Sequence, residues 1–81
     1  MNTRRLTKAD FENGRYVGGS LAFDGHVEIE AELGVVSFMR LTASGSIIAK
    51  AGTGIKAGWG IKAGEGIKAG TGIEAGTGIE A

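Results

Sequence analysis

The sequence predicts an all-β fold, a single-stranded β-helix (solenoid) with triangular coils of about eighteen residues. Three observations carry this. From Ala51 to Ala81 the phrase Ala-Gly-x-Gly-Ile-Lys/Glu returns every six residues. A strict short period marks a solenoid, in which each repeat stacks on its neighbours and cannot fold alone. Apolar residues also keep to odd positions and polar residues to even ones from about residue 19 onward. Such alternation is the signature of strands with one dry face and one wet face. Finally, glycines stand at fixed places in each hexad, where they permit turns at Gly-x-Gly.

Residues 1–18 are expected to form an N-terminal cap or a flexible tail. Thr7 stands where a helix N-cap would, acids follow, and Asn13-Gly14 supplies a stop. As a cap, this segment would seat Leu6 and Phe11 on the first coil; as a tail it would fray.

The solenoid is expected over residues 19–81, irregular to about 50 and nearly perfect from 51. In the irregular part Leu21, Val27, Leu33 and Met39 are six apart, as are Phe23, Ile29, Val35, Leu41 and Ile47. Asp24, His26, Glu28, Glu30, Glu32, Arg40, Thr42 and Ser44 lie between them at even positions. Val36, Phe38 and Ile48 break the pattern. In the regular part Ile55, Ile61, Ile67, Ile73 and Ile79 continue the inward series, with lysine or glutamate one residue on. A helix is excluded because a period of six drifts off a 3.6-residue turn, and each interior glycine costs about 0.5–1 kcal/mol against alanine. Glycines spaced alternately two and four apart also exclude a collagen-type helix. At a separation of eighteen, Lys56 meets Glu74, Lys62 meets Glu80 and Glu32 meets Lys50, leaving Lys50 over Lys68 as the one clash. At twelve, Lys50/Lys62 and Lys56/Lys68 both clash, so opposed charges favour eighteen.

The phrases Ile-Glu-Ala-Gly-Thr-Gly at 73–78 and Ile79-Glu80 resemble the hexapeptide-repeat β-helix family: aliphatic, small or acidic, two free positions, a small or hydroxyl residue, one free. Lys56, Lys62 and Lys68 depart at the second position, and Trp59 and Glu65 at the fifth. The same phrases resemble repeats in phage and prophage proteins.

Composition narrows the function. Nine basic residues balance nine acidic ones, which disfavours nucleic acid as a partner. The absence of cysteine excludes disulfides and thiolate metal sites. Charges at every sixth position exclude a membrane-spanning apolar run. The opening Met-Asn-Thr-Arg-Arg-Leu-Thr-Lys is followed by no apolar h-region, so a cytoplasmic protein is expected.

No enzyme is expected, and no catalytic, cofactor or metal residues are assigned. His26 is the one histidine. Hexapeptide-repeat acyltransferases use a histidine as general base, but they also need a cleft and loop excursions that this repeat lacks. Glu28, Glu30 and Glu32 form a same-side row of carboxylates, expected to be a solvated face. Gly52-Thr-Gly54 resembles a dinucleotide fingerprint only because the repeat generates it, and no helix follows.

The candidate interaction residues are Trp59, Phe38, Val36, Ile48 and Ile79. An indole does not fit an alanine-lined coil, so Trp59 is placed at a corner or face, where exposed tryptophans form binding hot spots. Val36, Phe38 and Ile48 are expected to make an outer apolar strip with it, and Ile79 to lie at an open coil end that templates association. The expected function is a non-enzymatic recognition or self-assembly module, homo-oligomeric through coil ends. The phage-type resemblance implies a sharper version, an inhibitor of a host defence protein in the manner of anti-CRISPR proteins. The alternatives are an ice-binding solenoid, suggested by Thr53 and Thr71 sharing a column, and a hexapeptide-repeat acyltransferase fragment.

Overall fold

The chain is a β-solenoid of about four coils, with parallel sheets as its walls. The computed structural model describes residues 2–70, 72–76 and 78–80; Met1, Thr71, Thr77 and Ala81 lie outside them. Eleven strands are described: β1 (Thr3–Leu6), β2 (Phe11–Glu12), β3 (Arg15–Tyr16), β4 (Leu21–Phe23), β5 (His26–Ile29), β6 (Gly34–Ala43), β7 (Ser46–Ala49), β8 (Thr53–Ala63), β9 (Gly66–Ala69), β10 (Ile73–Ala75) and β11 (Gly78–Glu80). β1, β5, β7 and β9 stack in parallel as the first wall. The long strands β6 and β8 each turn a corner. Their first halves form the second wall with β3 and β10, and their second halves form the third wall with β4 and β11.

Inward side chains form ladders through the coils. On the first wall Val27, Ile47 and Ile67 are in register, as are Leu6, Ile29, Ala49 and Ala69. On the second wall the ladders are Val36–Ile55–Ile73 and Phe38–Ala57–Ala75. On the third they are Leu21–Leu41–Ile61–Ile79 and Phe23–Ala43–Ala63. Leu6, Val27, Ile29, Leu41, Ile47, Ile55 and Ile61 are completely or almost completely buried. Burying each such side chain contributes about 1.5–3 kcal/mol.

The eighteen-residue coil holds only at the end of the array. Ile55 to Ile73 and Ile61 to Ile79 are eighteen apart, whereas Leu21 to Leu41, Leu41 to Ile61 and Ile47 to Ile67 are twenty apart. The extra residues enter mainly at the corner between first and second walls, which shortens along the chain from residues 30–35 to 50–54 to 70–72. In this corner Glu32 and Gly52 both adopt left-handed backbone, with φ of 61° and 80°. Thr53 fills its interior completely buried, donating to the Glu30 carbonyl at 2.7 Å and accepting the Leu33 N–H at 3.0 Å. The register puts Ile48 over Lys68, so the Lys50/Lys68 clash of the eighteen-residue count does not arise. The expected Lys56–Glu74 and Lys62–Glu80 register pairs do form.

A second correction concerns the inward face. Val36 follows Ile29 by seven positions, an odd step, so the chain enters the second wall with its parity reversed. Val36 and Phe38 point inward, 1% and 4% exposed, while Val35 and Met39 face solvent. A bulge follows, where one residue of β6 (Met39) opposes two of β8 (Gly58 and Trp59). It restores odd residues to the interior from Leu41 onward.

The first eighteen residues build most of the first coil. β1 lies in parallel register on β5, and Leu6 is fully buried. A single 3-10 turn at Lys8–Asp10 stands where a helix was read, with the Thr7 N–H donating to the Asp10 carboxylate at 2.8 Å. β2 and β3 then pair antiparallel around the left-handed Asn13-Gly14 turn. Phe11, Tyr16 and Phe38 form an aromatic cluster, with centroid separations of 5.2–6.0 Å. No helix among the described residues is long and apolar enough to cross a membrane.

The expected carboxylate row is broken. Glu28 takes the Lys50 ammonium at 3.0 Å and the Arg5 guanidinium at 3.5 Å, Glu30 accepts the Lys8 N–H at 3.2 Å, and Glu32 stands in the corner turn. The Lys50 hydrogen bond, with the pull of the Lys50 and Arg5 charges, holds the Glu28 carboxyl below its ordinary value against the opposing effect of partial burial. A depressed folded-state value contributes stability above the unfolded-state value, and that contribution is lost as pH falls through the folded one. Glu28→Gln is therefore expected to flatten the acid limb of the stability profile; urea midpoints measured from neutral to acid pH check this.

Candidate interaction surfaces

The most distinctive surface is the corner between the second and third walls. The bulge that restores the parity turns two consecutive residues of β6, Met39 and Arg40, outward and sets them beside Trp59 of the next coil. Trp59 is 51% exposed and Met39 is 49% exposed. The Arg40 guanidinium carbon lies 5.5 Å from the centre of the Trp59 ring, a cation–π contact that orients both side chains. Arg40 forms no ion pair with any described side chain. Beside this corner, on the third wall, an open groove of about 420 Å³ is lined by Arg40, Thr42 and Lys62 over a floor that includes Gly60 and Gly78. Those two glycines are in register on successive coils, and a Cβ added at Gly78 would meet nothing within 4 Å. The second glycine of the hexad thus leaves a bare strip along the wall.

The fourth coil supplies a different surface. Ile55 and Ile61 are sealed beneath it, but Ile67 and Ile73 are half-buried and Ile79 is 49% exposed. No described strand pairs with the outer edges of β9, β10 and β11. Parallel edges beside an apolar cross-section are a template for further strand pairing. At the opposite end of the stack, the β2–β3 hairpin and the aromatic cluster occupy the corresponding place on the second wall.

The candidate residues therefore separate. Trp59 lies outward at a corner and Ile79 on the fourth coil. Ile48 is 38% exposed on the first wall, between Glu28 and Lys68 of the neighbouring coils. The outer apolar strip does not exist: Val36 and Phe38 are core, because the reversed parity turns them in. Met39 and Arg40 take their place beside Trp59, and the sequence reading had set Met39 inward.

No family model, curated protein or solved structure matches the chain.

The third corner, between the third and first walls, is polar. The Ser46 N–H donates to His26 Nδ1 at 2.9 Å, and the Ser44 hydroxyl donates to the Asp24 carboxylate at 2.8 Å. Glu65 stands 4.0 Å from His26 Nδ1 and 3.5 Å from the Ser46 hydroxyl. This geometry ties successive coils together. The Ser44 hydroxyl is held by Asp24 and Nδ1 of His26 by a backbone amide, so these two groups are not directed at each other. Among the described residues, no three His, Cys, Asp or Glu side chains gather to hold a metal ion.

The threonine column also changes. Thr53 is buried and hydrogen-bonded within its corner, so it presents nothing to solvent. Its expected column partner, Thr71, lies outside the described residues, as does Thr77.

Proposed function

We propose that this protein is a non-enzymatic β-solenoid module for protein recognition and self-assembly, with the fourth-coil edge taking a coil of a second copy. One observation supports this above the others: no described strand pairs with the outer edges of β9, β10 and β11, which surround half-buried Ile67 and Ile73 and exposed Ile79. Repeats of this kind gain stability from each neighbour they stack on, so covering the edge is favourable. The regular hexads after residue 51 support grouping the chain with hexapeptide-repeat β-helices, and their likeness to phage-type repeats supports a host-directed inhibitor as the specialised form. Thr53 and His26 are both engaged within the coil stack, so neither lends support to ice binding or acyl transfer.

Light scattering coupled to size exclusion, from micromolar to near-millimolar protein, is expected to show a concentration-dependent dimer or larger species. Amides of β9–β11 should gain hydrogen-exchange protection in parallel. A monomer at every concentration would overturn self-assembly. A pull-down from host lysate tests the inhibitor form, for which a defined defence complex must be retained.

A further inference from the structure

We propose that the third-wall groove beside Trp59 binds an extended acidic segment of a partner protein, with an apolar side chain of that segment resting on Trp59. This goes beyond the self-assembly reading and uses the side of the stack instead of its edge.

The floor of the groove has the shape for a main chain. Gly60 and Gly78 present backbone alone, so an extended strand can lie close to the wall without side-chain collision. The groove edges are cationic. Arg40 heads the glycine column on one side, and Thr42 and Lys62 are paired in register on the other, with Glu80 next beyond Lys62. The Arg40 guanidinium is already oriented by the indole and lacks an ion-pair partner among the described residues. Its planar fork suits a carboxylate, and little freedom is lost on binding because the stacked position exists beforehand. The exposed indole supplies the apolar anchor that hot spots require.

Charge complementarity selects the occupant. A nucleic acid would have to track phosphates along the stack, but Glu74 and Glu80 stand directly beyond Lys56 and Lys62 on the next coil. The cationic zone is therefore one or two coils deep, and the chain carries no net charge to add long-range attraction. A membrane surface would need a broader apolar face than one indole. A short acidic segment with an aromatic residue meets both the cations and the anchor within the space available.

Trp59 is the sole tryptophan, so its emission reports on the groove directly. The probe is a blocked peptide of alternating Glu and Phe, titrated at low salt into the full chain at micromolar concentration. Saturable change in Trp59 emission is expected, weakening several-fold as salt rises. Arg40→Gln should weaken binding at least ten-fold with the circular dichroism spectrum unchanged, since the side chain is exposed. Trp59→Ala, followed by NMR shifts of the Gly60 and Lys62 amides, should do the same. The alternating Lys and Phe peptide should not bind. Any of three results would overturn the proposal: no saturable binding of the Glu–Phe peptide at millimolar concentration, equal binding of the Lys–Phe peptide, or tighter binding of oligothymidylate or anionic phospholipid vesicles. The titration reads the groove whether the protein is monomeric or assembled, so its failure is distinguishable from failure of self-assembly.

Discussion

Gly64→Ala is expected to destabilise the solenoid strongly, whereas Gly66→Ala, two residues further on, should leave it equally stable or slightly more so. Both residues are glycines of the same hexad, Gly64 in the bend after β8 and Gly66 at the start of β9. A Cβ on Gly64 would overlap the Ser44 carbonyl oxygen of the coil beneath. The same holds at Gly76 against Gly58, and a Cβ on Gly70 would come within 2.7 Å of the Ala51 Cα. Relief requires the coils to separate, which stretches the Gly64 N–H bond to the Ala43 carbonyl (3.0 Å) and the Glu65 N–H bond to the Gly45 carbonyl (3.1 Å). Overpacking against rigid backbone costs about 1–3 kcal/mol and sometimes more. A Cβ on Gly66 meets nothing within 4 Å, so it mainly reduces the freedom of the unfolded chain, a gain of about 0.4–1 kcal/mol. Urea midpoints of the two variants should move in opposite directions. Equal midpoints would mean that the coils are not in this close contact.

Phe38→Ala should cost about 3–5 kcal/mol, the range for losing a buried aromatic, while Val35→Ala should change stability by about 0.5 kcal/mol or less. Phe38 stacks on Tyr16 at 5.2 Å and meets Phe11 edge-on at 5.7 Å, closing the wide end of the core. Val35, three residues earlier, is 60% exposed. Denaturation of the pair tests the reversed parity of the second wall. If Val35→Ala were the more damaging change, the odd-numbered register would run unbroken and the described fold of β6 would be wrong.

The legible and illegible parts of this fold divide on physical lines. From Ile55 to Ile79 each inward isoleucine is flanked by residues unsuited to the core, so the register admits one solution. Around Val35-Val36 and Phe38-Met39 both members of each pair are apolar, and alternation alone does not choose between them. The choice is made by the number of residues in the preceding corner, which no local pattern records. The first coil was hidden for a related reason. Its hairpin turns on Asn13-Gly14, and its strand β1 sits 23 residues from its partner, outside any six-residue rhythm. The surface follows the same division. The narrow coil favours an outward Trp59, but nothing in the sequence sets Arg40 beside it. An eighteen-residue coil sets Leu41 over Trp59; the bulge and the twenty-residue spacing put Arg40 there instead.

The narrowing of the interior gives the molecule a direction of growth. Phe23, Phe38 and Ile29 give way to alanine in the coils that follow. Translation therefore delivers the bulky coils before the glycine-rich turns that stack on them. The slender turns would have nothing to nucleate on if they emerged in the opposite order. Opening is expected to begin at the slender end, where amide exchange should be fastest.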